Sequence, residues 1–275
     1  MNPDAYCRQK AVAEASSLHY ALLFLPPQRR LALTALCAFC KELRFVVDGV
    51  SDAQVARTKL AWWRVEAGKL FEGAPSHPVM IALQPFVAET GLRAEHLNRV
   101  IDGMEMDLAQ TRYLDFAELA RYCSLASGTV AGAQILGWTN PRTQEFAESL
   151  GIALQLTRIL RNVGAHARLN RIYLPMDDLK KFEVPAAGIL QAKPAEGFVK
   201  LMAAQARRAE AYFDKALGLL PAEDRGAQRA GLILAAIHRA TLAEVERDGF
   251  PVLTHRTSLT PLRKLWLAWK TWVIS

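Results

Sequence analysis

Apolar residues recur at intervals of three and four positions along almost the whole chain, the spacing of one face of an α-helix. The alternating runs that mark strands are missing. The breaks fit helices as well, because Pro26-Pro27 and Asn140-Pro141 each precede an apolar periodic segment. The chain has 275 residues, 51% of them hydrophobic, which is enough for one large core. We therefore predict an all-α fold, a helical bundle with a central cavity, formed by residues 1–275 as a single domain.

The predicted helices cover most of the chain. They are Asp4–Ala15, Ser17–Phe24, Pro27–Gly49, Ala53–Glu72, Pro78–Thr90, Ala94–Thr111, Phe116–Gly137, Arg142–Leu169, Met176–Phe182, Ala186–Leu190, Pro194–Leu220, Gly226–Asp248 and Leu262–Val273.

The net charge of +7 does not by itself indicate a nucleic-acid partner, because the basic residues of the N-terminal and middle regions are not mixed with stacking aromatics. The segment PLRKLWLAWKTWVIS does mix them. As a helix it either lies on an anionic membrane surface or docks on the body through its tryptophans. No apolar run is long enough to cross a bilayer and no secretory signal opens the chain, so we expect a cytoplasmic protein, with peripheral contact at the inner membrane as the alternative.

One polar stripe crosses the predicted helix Arg142–Leu169. Arg158, Asn162 and His166 follow one another at intervals of four and share a face, while the other faces are apolar. Such a stripe either faces water or lines a polar site in the interior.

Motifs along nearly the whole chain resemble the squalene/phytoene synthase family, and most of all its bacterial presqualene diphosphate synthase branch. They are AYCRQK, SSLHYALLFLPPQRR, ALCAFCKEL, KLAWWR, GMEMDLAQTRYLDF, RYC, GIALQLTRILRNVG, RIYLP, DGFPVL and SLTPLRKLWLAWKTW. The resemblance implies an all-α isoprenoid-synthase bundle and a prenyltransferase that joins two farnesyl-type diphosphates head to head. It also implies magnesium held between two Asp-rich helices, because hard cations prefer carboxylate oxygens and neutralise the diphosphate.

Both Asp-rich motifs are altered in this chain. The family's Arg-Glu-Val-Asp-Asp-Val-Val-Asp-Glu is replaced by KELRFVVDG at 41–49, which keeps Asp48 but places Arg44 and Phe45 where acids are expected. The family's Asn-Ile-Leu-Arg-Asp-Val-Gly-Glu-Asp is replaced by RILRNVGAH at 158–166, which contains no carboxylate. We therefore expect no cofactor in this chain, and we expect the ancestral reaction to be absent or impaired.

Other departures fall at positions that line the cavity in the family. His19, Cys37 and His238 replace residues that the family keeps, and the segment that contains Ser124 and Ser127 is rebuilt with small residues. Changes that concentrate on one lumen predict a pocket remodelled, by evolution or by engineering, for a small hydrophobic or amphiphilic ligand.

Three functions fit this pattern. The first is a prenyl-diphosphate enzyme without the usual metals, in which arginines bind the diphosphate directly. The second is a new catalytic site with His166 as general base, oriented by Asp48 or paired with a serine. The third is a non-catalytic binding protein. The predicted catalytic residues are His166 and Asp48, and no metal ligand is predicted. The predicted ligand-binding residues are Lys41, Arg44, Phe45, His19, Cys37, Ser124, Ser127, Gln155, Arg158, Asn162 and His238.

Structural roles are equally compatible with several of these residues. Asp48 pairs either with Arg44 along its own helix or with Arg158 across the cavity. Phe45 is expected to fill the space of the lost metal site. Cys37 is more simply a buried thiol than a nucleophile. A monomer is the default expectation.

Overall fold

The structure is a computed structural model that describes residues 2–11, 16–50 and 52–275. Within these ranges the chain is helical without strands, apart from one isolated bridge between Arg112 and Ile172. The predicted all-α class is confirmed. The helices are α1 (Pro3–Ala11), α2 (Ser17–Leu22), α3 (Pro27–Gly49), α4 (Ala53–Phe71), α5 (Pro78–Leu83), α6 (Val87–Thr90), α7 (Ala94–Ala109), α8 (Phe116–Ala126), α9 (Thr129–Leu136), α10 (Arg142–Arg161), α11 (Val163–Arg168), α12 (Met176–Lys181), α13 (Ala186–Leu190), α14 (Phe198–Leu219), α15 (Arg229–Arg247) and α16 (Pro261–Ile274).

Helix α10 occupies the middle of the bundle. It packs along α14 and also contacts α8, α9 and α15, while α3 contacts α1, α4, α5, α7 and α9. The main apolar cluster draws on helices from Cys7 to Leu253 and includes the fully buried Phe39 and Leu43 of α3. Burial of such a side chain stabilises the fold by about 1.5–3 kcal/mol. The two helices that carry the altered motifs, α3 and α10, are therefore rigid parts of the core.

Most of the predicted boundaries agree with the structure within a few residues, and Pro27–Gly49 agrees at both ends. The predicted end of the first helix falls in residues 12–15, outside the described residues. The single predicted helix Phe116–Gly137 is wrong, because α8 ends and α9 begins around Gly128. This glycine has a φ of +68°, and a Cβ atom there would lie 2.8 Å from the Sγ of Cys40.

The predicted helix Arg142–Leu169 is also interrupted, at Asn162, where φ is −117° and ψ is 21°. The loop that follows α15, which contains Val252 and Leu253, causes the break. The Gly164 N–H donates to the carbonyl oxygen of Val252 at 3.0 Å instead of to α10, and a Cβ on Gly164 would collide with the Leu253 carbonyl. The face that Arg158 and Asn162 share is therefore not continued as one unbroken helix to His166.

Two helical glycines provide a matched test of the packing. We expect Gly103→Ala to destabilise the protein by about 1–3 kcal/mol, because its Cβ would lie 2.7 Å from the backbone N of Ala126. Gly68 has no heavy atom within 4 Å of the Cβ position, so Gly68→Ala should stabilise by about 0.5–1 kcal/mol. Denaturant unfolding of both variants measures this, and equal effects would contradict the close approach of α7 and α8.

Candidate functional site

An apolar cavity of about 280 Å³ lies among α2, α3, α9, α10 and α15. Its volume is close to the lower end of small-molecule sites, at about 300 Å³. Three of the predicted ligand-binding residues, Cys37, Lys41 and Ser127, line it. The apolar part of the lining includes Leu33, Leu36, Phe146, Leu150, Leu154 and Leu234.

Charged residues follow the cavity lining on both altered helices. On α10, Arg158 comes one turn after Leu154 and lies on the same face. On α3, Arg44 comes one turn after the cavity-lining Cys40; burial raises the pKa of that thiol to about 12, although the positive charge of Arg44 acts in the opposite direction.

Asp107 of α7 is a buried carboxylate in contact with Arg44. Its side chain is 1% exposed and accepts hydrogen bonds from Arg171 at 2.6 Å, Tyr173 at 2.8 Å and Tyr122 at 2.9 Å. Arg44 completes the set, with its Nη1 3.8 Å from the carboxylate and 3.3 Å from the Tyr122 hydroxyl. We call these five residues the Asp107 cluster.

Asp107 was not among the predicted site residues, although it lies in the motif GMEMDLAQTRYLDF. The available signal was its position among apolar residues on the amphipathic helix α7, where an acid needs buried donors. Two of its donors, Arg171 and Tyr173, lie in the other quoted motif RIYLP. What the sequence could not supply was the contact between the two motifs.

The cluster decides the role of Arg44. Burial disfavours its charged form, but the Tyr122 hydroxyl and the Asp107 carboxylate outweigh burial and raise the pKa of the guanidinium above its usual value. Arg44 is thus a permanently charged, held side chain. The alternative of an intrahelical ion pair with Asp48 is wrong, since among the described residues Arg44 pairs with Asp107.

Arg158 has no carboxylate partner among the described residues. Its Nη1 donates to the amide oxygen of Gln155 at 3.2 Å, and Gln155 is itself fixed by donation to the carbonyl of Ala126 at 2.9 Å. Burial and the charge of Arg44 lower the pKa of Arg158. The predicted bridge from Arg158 to Asp48 is not formed, because Asp48 is exposed near the end of α3 and acts on Arg158 only at longer range.

A second group of basic residues surrounds a small space beside Arg161. We call this space the basic pocket. Arg161, Asn162, Arg168, His255 and Arg256 border a space of about 70 Å³. The Nε of Arg161 is buried without a hydrogen-bond partner, and burial, Arg256 and Arg158 lower its pKa to about 10. The amide of Asn162 is engaged, since it donates to the Arg158 carbonyl at 2.6 Å.

His238 belongs to the surroundings of the basic pocket and not to the apolar cavity. Its Nδ1 is buried without a hydrogen-bond partner. Burial and the charges of Arg161 and Lys264 lower its pKa to about 3, so the imidazole is neutral. The expectation that His238 lines the cavity is corrected accordingly.

His166 packs edge-on against Tyr173, with 4.7 Å between the ring centroids. Its Nδ1 is buried and has no hydrogen-bond partner, so Asp48 does not orient it. Burial, Arg158, Arg44 and Arg171 lower its pKa to about 3. An imidazole with that pKa is neutral and a weak base, which argues against the role of general base.

Neither serine pairs with His166. The Ser124 hydroxyl accepts from Arg99 at 3.3 Å. Ser127 bonds the Ser124 carbonyl at 3.2 Å and lies 2.8 Å from the Thr129 hydroxyl. The arrangement of serine and histidine that the sequence left open is not formed.

Two further predicted residues lie away from the cavity lining. Phe45 does not fill the interior, because α3 directs it outward and it is 64% exposed. His19 borders a separate surface pocket with Arg8 and Arg30. Cys37 does line the cavity, and burial raises its pKa to about 12, so it is an inert thiol and not a nucleophile.

The donor set does not fit a magnesium cluster. Among residues 2–11, 16–50 and 52–275, no three His, Cys, Asp or Glu side chains are placed to hold a metal ion. Glu42, the other acid of the first motif, is engaged by the Tyr6 hydroxyl at 2.6 Å and by Lys10 at 3.0 Å. Asp48 remains as a single exposed carboxylate, which is too few for several hard cations.

Comparison with known proteins accounts for the fold around these residues. A sequence model described as squalene/phytoene synthase matches residues 11–263. The chain belongs to this family. It is 32% identical to the phytoene synthase of Arthrospira platensis over 282 residues, which cover 95% of this chain and 90% of that protein. It is 31% identical to the chloroplastic phytoene synthase 1 of Arabidopsis thaliana over 276 residues, covering 95% of this chain and 64% of that protein.

Solved structures of the family share the fold. A dehydrosqualene synthase in complex with ligand superposes with a TM-score of 0.85 at 22% identity, covering 99% of this chain and 96% of the other. Squalene synthase HpnC from Alicyclobacillus acidocaldarius has a TM-score of 0.78 at 24% identity, covering 90% and 94%. The family assignment made from the motifs is thereby confirmed.

The Asp107 cluster can be tested against a surface carboxylate on the same helix. We expect Asp107→Asn to destabilise the protein by about 3–5 kcal/mol, because it leaves Arg171 as a buried charge without its counterion. Asp102, half-exposed and 2.7 Å from Arg64, is the control, and Asp102→Asn should cost about 0.2–1 kcal/mol. Denaturant unfolding of both measures this, and similar losses would show that the cluster does not hold the fold.

The lowered pKa of His166 predicts a pH dependence. The unfolded chain takes up a proton at about pH 6.5, whereas folded His166 does so only at about pH 3. Stability should therefore be full above pH ~6.5 and fall as the pH drops toward 3, and His166→Asn should lose part of this dependence. Histidine NMR shifts measure the folded pKa directly, and titration of His166 near its ordinary value would contradict the geometry.

Proposed function

We propose that this member of the squalene/phytoene synthase family binds an isoprenoid diphosphate in a remodelled pocket, with arginines in direct contact with the diphosphate in place of a magnesium cluster. The observation that carries the proposal is Arg158, a partly buried guanidinium next to an apolar cavity with no carboxylate partner among the described residues. A buried charge without a counterion is costly, so the site favours an anion that supplies one.

The cavity suits the apolar part of the proposed ligand. Its lining is mostly apolar, with Lys41, Gln228 and a few hydroxyl and thiol groups as the polar exceptions, so it suits a hydrocarbon chain. The cationic end begins one helical turn beyond the lining on both α3 and α10. An amphiphile with an apolar tail and an anionic head therefore matches the succession of surfaces.

Guanidinium groups are suited to this head. Each presents a planar fork of donors that matches phosphate oxygens in pairs. Arg44 is already fixed by Asp107 and Tyr122, and Arg158 by Gln155, so little side-chain freedom is lost on binding. Arg161 adds a buried Nε that still lacks an acceptor.

Binding of this kind does not amount to turnover. The family's head-to-head condensation requires the diphosphate to leave, and the acids that would hold magnesium around it are reduced to Asp48. We propose that this condensation is absent or slow. A prenyltransferase of reduced activity is the second candidate, and the family match over residues 11–263 favours it. A binding protein without activity is the third.

Calorimetric titration with farnesyl diphosphate, with EDTA and then with magnesium, tests the binding. We expect binding in EDTA, and Arg158→Gln should weaken it about 10- to 100-fold, the effect of one charged hydrogen bond of about 1.5–3 kcal/mol. Arg121→Gln removes an exposed arginine of α8 and is the matched control, expected to bind as the wild type does.

Dependence of binding on magnesium, or equal affinity of Arg158→Gln and wild type, would contradict direct recognition by arginine. Turnover is measured separately, as presqualene diphosphate or squalene formed from farnesyl diphosphate. Robust magnesium-dependent product would replace the proposal by the second candidate.

A further inference from the structure

Helix α16 presents its large apolar side chains to solvent. They lie on one face of the helix, because each is three or four residues from another member of the set. The exposed fractions are 79% for Leu262, 39% for Leu265, 53% for Trp266, 53% for Trp269 and 56% for Val273. We call these five residues the outer face. A contiguous apolar surface of this kind marks an interaction site.

The opposite side of α16 attaches it to the body. Ala268 is fully buried and Lys264 is 7% exposed. Trp272 stacks on Phe24 with 5.3 Å between ring centroids. The alternative in which the tryptophans dock the helix therefore holds for Trp272, while Trp266 and Trp269 remain outside.

The charge beside the outer face is positive. The segment Pro261–Ile274 contains no acidic side chain. Lys270 lies over the Trp266 ring at 5.0 Å, and Arg229 lies 6.0 Å from the Trp272 ring. The nearby Glu244 is shared by two arginines, Arg247 and Arg263, so this corner also keeps a positive excess.

A groove of about 430 Å³ lies beside Trp272 and is lined by Phe24, Ile233 and Arg229. Ala21, Leu136 and Ala230 border both this groove and the internal cavity, so the two spaces are neighbours. The basic side chains beside an exposed apolar helix face with two tryptophans favour an anionic lipid bilayer over a protein as the partner.

We infer that the outer face of α16 is a docking surface for an anionic lipid bilayer. The helix lies in the interface with its apolar face among the lipid chains, its tryptophans at the headgroup level and Lys270 against acidic headgroups. Docking does not depend on the proposed function. Within the described residues, no helix combines the length and apolar character needed to span a membrane.

Co-sedimentation of the full chain with vesicles tests the docking without any isoprenoid. We expect the protein to partition at least about tenfold more strongly onto phosphatidylcholine vesicles that contain phosphatidylglycerol than onto phosphatidylcholine alone, and salt should weaken the binding. Trp269→Ala and Lys270→Glu should each reduce it about fivefold or more.

Two matched variants serve as controls. Trp62→Ala removes a tryptophan of α4 that is 44% exposed, and Lys59→Glu reverses an exposed charge of the same helix. Both should bind vesicles as the wild type does. Leu262→Ser, at a position 79% exposed, repeats the test without risk to the core.

Equal binding to both vesicle types, or equal loss in the Trp62 and Trp269 variants, would overturn the inference. So would self-association without vesicles that Trp269→Ala abolishes, since a second copy would then cover the outer face. Sedimentation velocity distinguishes that case. Loss of farnesyl diphosphate binding with vesicle binding intact would instead count against the proposed function alone.

Discussion

The hydrogen-bonded carboxylate of Asp107 fixes the geometry on which the candidate site depends. Its partners come from α3, α8 and the segment after α11, so one buried side chain joins four parts of the fold. Tyr122 and Tyr173 also stack on each other, with 5.5 Å between ring centroids. Arg44 cannot turn away toward solvent without losing its contacts with the Asp107 carboxylate and the Tyr122 hydroxyl. The cationic end of the cavity is thus built in before any ligand binds.

Asp107 does not neutralise this region. Arg44, Arg171 and Arg158 are all close enough to perturb one another or His166, and Asp107 is the carboxylate buried among them. The lowered pKa of His166 is one consequence, since a neutral imidazole adds no further positive charge. The lowered pKa of Arg158 is another. Burial is the main cause of both shifts and the neighbouring arginines add to it, so under the proposed function a bound anion would offset only the contribution of the arginines.

The fold could be predicted from the sequence, whereas contacts between distant segments could not. Helical periodicity and motif order were sufficient for the all-α family fold, because both are local or nearly so. The arginines of the altered motifs, Arg44 and Arg158, were predicted as ligand-binding residues, and that role stays a prediction. Asp107 was missed because its importance comes from donors 15 to 66 residues away. Phe45 was misplaced because a motif position gives the helix but not the direction in which the side chain points.

The break in the helix at Asn162 places Arg158 and His166 on different helical segments, α10 and α11. In an unbroken helix His166 would continue the face of Arg158, but the Val252 carbonyl takes the Gly164 N–H and ends that register. Arg158 then belongs with the cavity and the Asp107 cluster, whereas Arg161 belongs with the basic pocket beside Arg256. Arg158 and Arg161 lie three residues apart on α10, and neither has a carboxylate partner among the described residues. Under the proposed function such fixed guanidinium groups would bind the diphosphate, but they would not assemble around it as it departs, as mobile cations do. The proposed function therefore implies binding with weak turnover.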